Sequence, residues 1–222
     1  MIGNLSLDNL PYILLTVLPI GLMAVTLHEV SHGWVAKRFG DPTADMEGRL
    51  SLNPIKHIDP IGALMIVIIG FGWAKPVPVN PVYFKRPGRD MMWVGLAGPI
   101  SNILFAIVFA ILLRITVYVY YSTEILPLEA TMAVIRFFQF GIMINVILAA
   151  FNMIPIPPLD GSRVLAYFLP RDLEMRYRDL ERYGMFILIG VIFVLPWVTN
   201  GRIDVIRIVA GGALRVFQTI FL

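Results

Sequence analysis

The sequence predicts an all-α polytopic membrane protein with about four to six membrane helices and a short re-entrant or β-hairpin element between the first and second long spans. Three observations carry this. Of 222 residues, 58% are hydrophobic and only 15% are charged, whereas roughly a quarter of residues in soluble domains carry charge. Four uncharged runs each reach the length of a bilayer-crossing helix. The basic residues fall in short blocks between those runs, as membrane topology requires, and not in a stripe suited to nucleic acid, despite a net charge of +3. The expected surroundings are therefore a lipid bilayer, with no nucleic-acid partner. So apolar a composition excludes disorder, and the lack of cysteine excludes disulfides, thiolate metal ligands and a thiol nucleophile.

The first run, Leu10 to Leu27, has eighteen uncharged residues and no basic segment before it, so it reads as a retained helix and not a cleaved signal. Pro60 to Ala74 has fifteen, about 22 Å as a helix. That is short for a hydrocarbon core of about 30 Å, so a re-entrant segment is expected. Residues 72–81 alternate Pro and Val, which favours an extended edge. Such an edge either pairs an extended substrate by strand addition or merely caps the site. Met91 to Leu113 and Phe137 to Leu159 have twenty-three uncharged residues each, and Gly184 to Gly201 has eighteen. The tail from Arg202 is broken by Asp204, Arg207 and Arg215 and reads as interfacial more readily than spanning.

If Pro60 to Ala74 enters and leaves on one side, the blocks Lys37 to Lys56, Lys75 to Arg89 and Arg163 to Arg182 share a face. They hold thirteen of the eighteen Lys and Arg residues, which places that face in the cytoplasm and the N-terminus outside. The expected organisation is one multi-pass integral membrane domain, 1–222, with a catalytic core at about 10–165 and C-terminal helices at about 183–222.

The first helix ends in His28-Glu29-Val30-Ser31-His32. Positions i and i+4 lie about 40° apart on one helix face, so both imidazoles can reach one metal ion. Glu29 then stands beside the ion, where it can take a proton from water. Three ionisable groups at a membrane helix are costly without a compensating partner, and a single Zn²⁺ supplies one. A catalytic zinc takes a third protein ligand. The candidates are Asp160, which follows the helix-breaking run Pro155-Ile156-Pro157-Pro158, and His57 or Asp59 in the loop after the first helix. Asp160 and the His pair lie at span ends that share a face only if Pro60 to Ala74 does not cross, and this favours Asp160.

These residues resemble the site-2 proteases, a family of intramembrane zinc metalloproteases. The resemblance covers about residues 10 to 165. It rests on His28-Glu29-x-x-His32, on Gly98-Pro99-x-x-Asn102 in the next long span, and on Asn152-x-x-Pro155-x-Pro157-Pro158-Leu159-Asp160-Gly161 at the end of the third. It implies a compact form without PDZ or CBS domains, with His28, His32 and Asp160 as zinc ligands and Glu29 as general base. It also implies that Asn152 lies near substrate. Asn102, a buried amide in lipid, is expected either to orient a zinc ligand or to tie helices together. The implied activity is hydrolysis of peptide bonds in transmembrane segments of other proteins, near the cytoplasmic face. Two other function classes fit an ionisable cluster in membrane helices: a divalent-metal transporter, and a proteolytically silent scaffold that binds membrane helices.

Overall fold

The structure is a computed structural model that describes residues 10–69, 72–123 and 127–222. Every regular element among these residues is helical; the one β feature is an isolated bridge. Four helices are long and apolar enough to cross a membrane: Ile13–Arg38, Pro87–Thr123, Leu128–Asn152 and Arg171–Val198. The chain is an all-α integral membrane protein.

Helix α1, Leu18–Arg38, continues from a π-helical turn at Ile13–Val17 and carries both histidines of the first motif. Past its end the buried Asp41 carboxylate accepts the Thr43 N–H at 3.0 Å and the Asn80 N–H at 2.7 Å. One side chain thus ties the turn after α1 to the extended segment that follows the short helix α2, Pro60–Ile69.

Helix α2 has ten residues, so it rises about 15 Å and cannot cross a hydrocarbon core of about 30 Å. The chain returns to where it left. Ile58 and Ala74 form an antiparallel bridge, and the Lys75 N–H donates to the His57 carbonyl at 2.9 Å. A glycine allows this closure, because a Cβ on Gly62 would strike the Trp73 backbone. Asp59 caps the helix by accepting the Gly62 N–H at 2.8 Å, which satisfies one of the free donors of its first turn.

Helix α3, Pro87–Thr123, has 37 residues, about 55 Å, and overruns both ends of the uncharged stretch from Met91 to Leu113. Helix α4, Leu128–Asn152, starts nine residues before the Phe137 at which its uncharged run begins and stops before Pro155. The span expected from Phe137 to Leu159 is therefore displaced toward the N-terminus. Proline has no N–H and clashes with the preceding turn, so residues 153–159 unwind before α5, Asp160–Phe168, begins. Helix α6, Arg171–Asp179, follows, and its Tyr177 hydroxyl donates to the Pro155 carbonyl at 2.9 Å, steadying the unwound loop. Helix α7, Gly184–Ile189, extends the same apolar span.

The interior of the bundle lies between α3, α4 and the last helix, α8, Val205–Phe221. There Ala106, Phe109, Ala110 and Leu113 meet Ile142, Val146 and Phe217. The interfacial reading of the tail left out this contact: Phe217 is buried in the bundle, and Arg114 Nη2 donates to the Leu222 carbonyl at 3.1 Å. Arg207 and Arg215 are exposed while Phe217 is buried, so α8 is both amphipathic and packed.

Candidate metal centre

Two helices supply the three side chains of one buried cluster. On α1, His28 and His32 stack edge to face, with ring centroids 4.6 Å apart. Asp160, the first residue of α5, places Oδ2 3.0 Å from His28 Nε2 and 3.2 Å from His32 Nε2. All three side chains are buried, and one ligand atom from each lies within 4.8 Å of the others. Among the described residues no other such group of His, Cys, Asp or Glu occurs.

The donor set fits a metal. With metal–ligand bonds of about 2.0–2.1 Å, neighbouring donors of a tetrahedral zinc site lie about 3.3 Å apart. The two imidazole-to-carboxylate separations fall close to that edge length. Burial pushes the Asp160 carboxyl up, but the His32 and His28 imidazoles facing it outweigh burial and hold it below the usual carboxylate range. An ionised carboxylate is the form that ligates.

The outward nitrogen of each ring is fixed. His28 Nδ1 faces Asn102 Oδ1 at 2.7 Å, and His32 Nδ1 faces the Val94 carbonyl at 2.6 Å. Both partners are acceptors, so each ring carries its proton on Nδ1 and turns the Nε2 lone pair into the cluster. Asn102 is fully buried and touches the ring directly.

Helix α3 can come this close because residue 98 is glycine. A Cβ there would lie 2.5 Å from His32 Nε2 and 2.6 Å from His28 Nε2. Small residues in this stretch suggest helix packing when read from sequence. What they pack against here is the pair of nitrogens that face the cluster, and only the folded chain reveals that.

Glu29, partly buried on α1, is held from the other side, where its Oε2 accepts the Val77 N–H at 2.8 Å. Of the four N–H donors in residues 75–80, those of Lys75, Val77 and Asn80 bond inward to His57, Glu29 and Asp41. Few donors remain for an added strand, so this geometry supports a segment that caps the site.

His57 and Asp59 do not join the cluster. The His57 Nε2–H donates to the Ser51 carbonyl at 2.8 Å, and Asp59 is the α2 cap. Asn152 donates from Nδ2 to the Leu148 carbonyl of its own helix at 3.0 Å. Asn145 carries no motif signal, yet it bonds Asn102 across the α3–α4 contact at 2.9 Å.

Residues 124–195, which include Asn152 to Gly161, match the model of peptidase family M50. A relative spans nearly everything else: YwhC of Bacillus subtilis, provisionally named a zinc metalloprotease, is 38% identical over 215 residues, 97% of this chain and 94% of that protein. The chain belongs to peptidase family M50. That is the site-2 protease family, so the resemblance seen in the motifs holds. Rip2 of Mycolicibacterium smegmatis, also provisionally named a zinc metalloprotease, is 28% identical over 183 residues, 79% of this M50 chain and 65% of that protein. The zinc metalloprotease MJ0392 of Methanocaldococcus jannaschii is 27% identical over 149 residues, 67% of this chain and 33% of that protein. No solved structure matches this M50 chain.

Proposed function

We propose that this protein is an intramembrane zinc metalloprotease that hydrolyses peptide bonds in transmembrane segments near the cytoplasmic face of the cell membrane. The single observation that carries the reading is the buried convergence of His28, His32 and Asp160, with Glu29 one residue from the first ligand. His28 and His32 through Nε2, and Asp160 through its carboxylate, are the residues that would hold one zinc ion. When bound, zinc supplies a Lewis acid that polarises a carbonyl and makes water a stronger acid. The zinc metalloprotease names of the relatives support the same cofactor.

Each protein group then has a task. Asn102 and the Val94 carbonyl hold the two imidazoles with Nε2 inward. The Val77 N–H occupies Glu29 Oε2, which leaves Oε1 to take a proton from the attacking water and deliver it to the leaving amine as the C–N bond breaks. Asn152 has an amide oxygen to offer an unwound substrate at the break after α4. A helical substrate must open before its carbonyl can be attacked, and lipid offers no water to replace the lost hydrogen bonds. The unwound segment 153–159 and the extended segment 74–80 are the places where polar backbone meets the site.

The cytoplasmic orientation is supported by the basic blocks flanking the site. We read the chain as a single membrane domain, 1–222, with its catalytic core at about 10–165 and C-terminal helices at about 183–222. A metal transporter needs successive ligand stations along a path, whereas the described residues offer one cluster.

The test is purification with metal analysis, followed by cleavage of a membrane-helix substrate by wild type and by Glu29→Gln. The expected result is one zinc per chain in both proteins and cleavage by wild type alone. Equal cleavage by the variant would remove Glu29 as the base, and a wild type without zinc would remove the metal centre.

A further inference from the structure

Two amides, Asn102 on α3 and Asn145 on α4, are completely buried. A buried primary amide in apolar surroundings needs a partner for each N–H, and here the partners can be followed one by one. Asn145 Nδ2 donates to the Gly141 carbonyl at 2.9 Å. A carbonyl can only accept, so the Asn145 amide must point its nitrogen there and its oxygen toward α3. That oxygen accepts from Asn102 Nδ2 at 2.9 Å, while the other Asn102 N–H reaches the Ala24 carbonyl of α1 at 3.2 Å. With both hydrogens committed, Asn102 has only Oδ1 to present to His28 Nδ1, 2.7 Å away. The ring must then carry a proton on Nδ1, so that in its neutral form Nε2 is the bare nitrogen.

We propose that Asn145 is a positioning residue for metal binding, setting the direction of the Asn102 amide and through it the tautomer of His28. The inference rests on the reading of His28 as a metal ligand. Without the Asn145 oxygen, one buried Asn102 N–H has no acceptor. Turning that amide over would aim an N–H at His28 Nδ1, which drives the ring proton onto Nε2, the nitrogen that must be bare to ligate. A residue that only tied α4 to α3 would have no effect on the ring.

The experiment uses the full chain in detergent or nanodiscs. In metal-free wild type, ¹⁵N spectra of the three histidines, assigned by single substitutions, report each ring's tautomer. At a pH where the ring is neutral, His28 is expected as the Nδ1–H form; an Nε2–H form or an even mixture would overturn the proposal. Zinc affinity is then measured by competition with a chromophoric chelator. Asn145→Leu is expected to bind zinc about tenfold more weakly, at the low end of the effect of removing a group behind a metal ligand. The double variant Asn102→Leu/Asn145→Leu should bind no more weakly than Asn102→Leu alone, because both act along one path. Unchanged affinity in Asn145→Leu, or a double-variant loss equal to the product of the single losses, would overturn it. The tautomer needs no variant of Asn145, so it decides the matter even where Asn145→Leu does not assemble. A wild type that binds no zinc would instead remove His28 as a ligand, and the tautomer in metal-free protein would still test the amide relay.

Discussion

The residue that the cluster tolerates least is Gly98, although it offers no functional group. A methyl at residue 98 would sit 2.5 Å from His28 Cε1 and His32 Nε2, closer than packed atoms allow, so the rings or α3 must move. Misplacement of about 1 Å in a catalytic constellation can cost on the order of 100-fold in rate. We expect Gly98→Ala to lose at least that much cleavage and to release zinc to a chelator that wild type resists; wild-type behaviour in both assays would show that α3 yields freely. Asp160→Ala should lose metal outright, whereas His57→Ala should keep it, because His57 donates to Ser51 and lies outside the cluster. Zinc retained by Asp160→Ala and lost from His57→Ala would exchange the two roles. His28, Glu29 and His32 were legible in the sequence because their geometry is local, one helical turn. Gly98 was legible only as a motif residue and Asn145 not at all, since each acts through a contact made only when the helices assemble.

At the scale of elements, the segment after α2 links the re-entrant turn to Glu29, the proposed base. Pro76 and Pro78 keep it extended and have no N–H, so Val77 is the donor left to meet Glu29. Val77→Pro removes that donor with little change of backbone preference, since a residue before proline is already confined to extended conformations. Hydrogen bonds to charged groups contribute about 1.5–3 kcal/mol, so kcat should fall about 10- to 100-fold while zinc content stays at wild-type level. An unchanged kcat would mean that Glu29 needs no orienting partner. The short reach of residues 60–74 was readable by counting. The end of α4 at Asn152, well before the uncharged run stops, follows from the prolines and not from hydropathy. Hydropathy measures where a chain prefers lipid; it cannot locate the turn at which a helix must break, nor the thirteen residues by which the neighbouring span begins ahead of its apolar stretch, at Arg171 among charges instead of at Gly184.

For the whole molecule, the site exists only if α1 and the end of α4 open on the same face, and this depends on the chain returning between Ile58 and Ala74. A crossing there would put the Lys75 to Arg89 block opposite the Lys37 to Lys56 block and start α3 on the wrong side to bring Gly98 against the histidines. The absence of native cysteine allows a direct test, because any single introduced thiol can be labelled without background. Ser51→Cys, Lys85→Cys and Arg176→Cys lie in the three basic blocks; Tyr121→Cys lies near the far end of α3, where the side chain is exposed. Labelling with a membrane-impermeant maleimide in intact cells and in inverted vesicles should place the first three on the cytoplasmic face and Tyr121→Cys on the other. If Lys85→Cys were labelled with Tyr121→Cys and away from Ser51→Cys, residues 58–74 would cross the membrane and the buried meeting of His28, His32 and Asp160 could not form. If all four sites kept their expected pairing but with the two faces exchanged, the cluster would stand and the protease would open to the outer side.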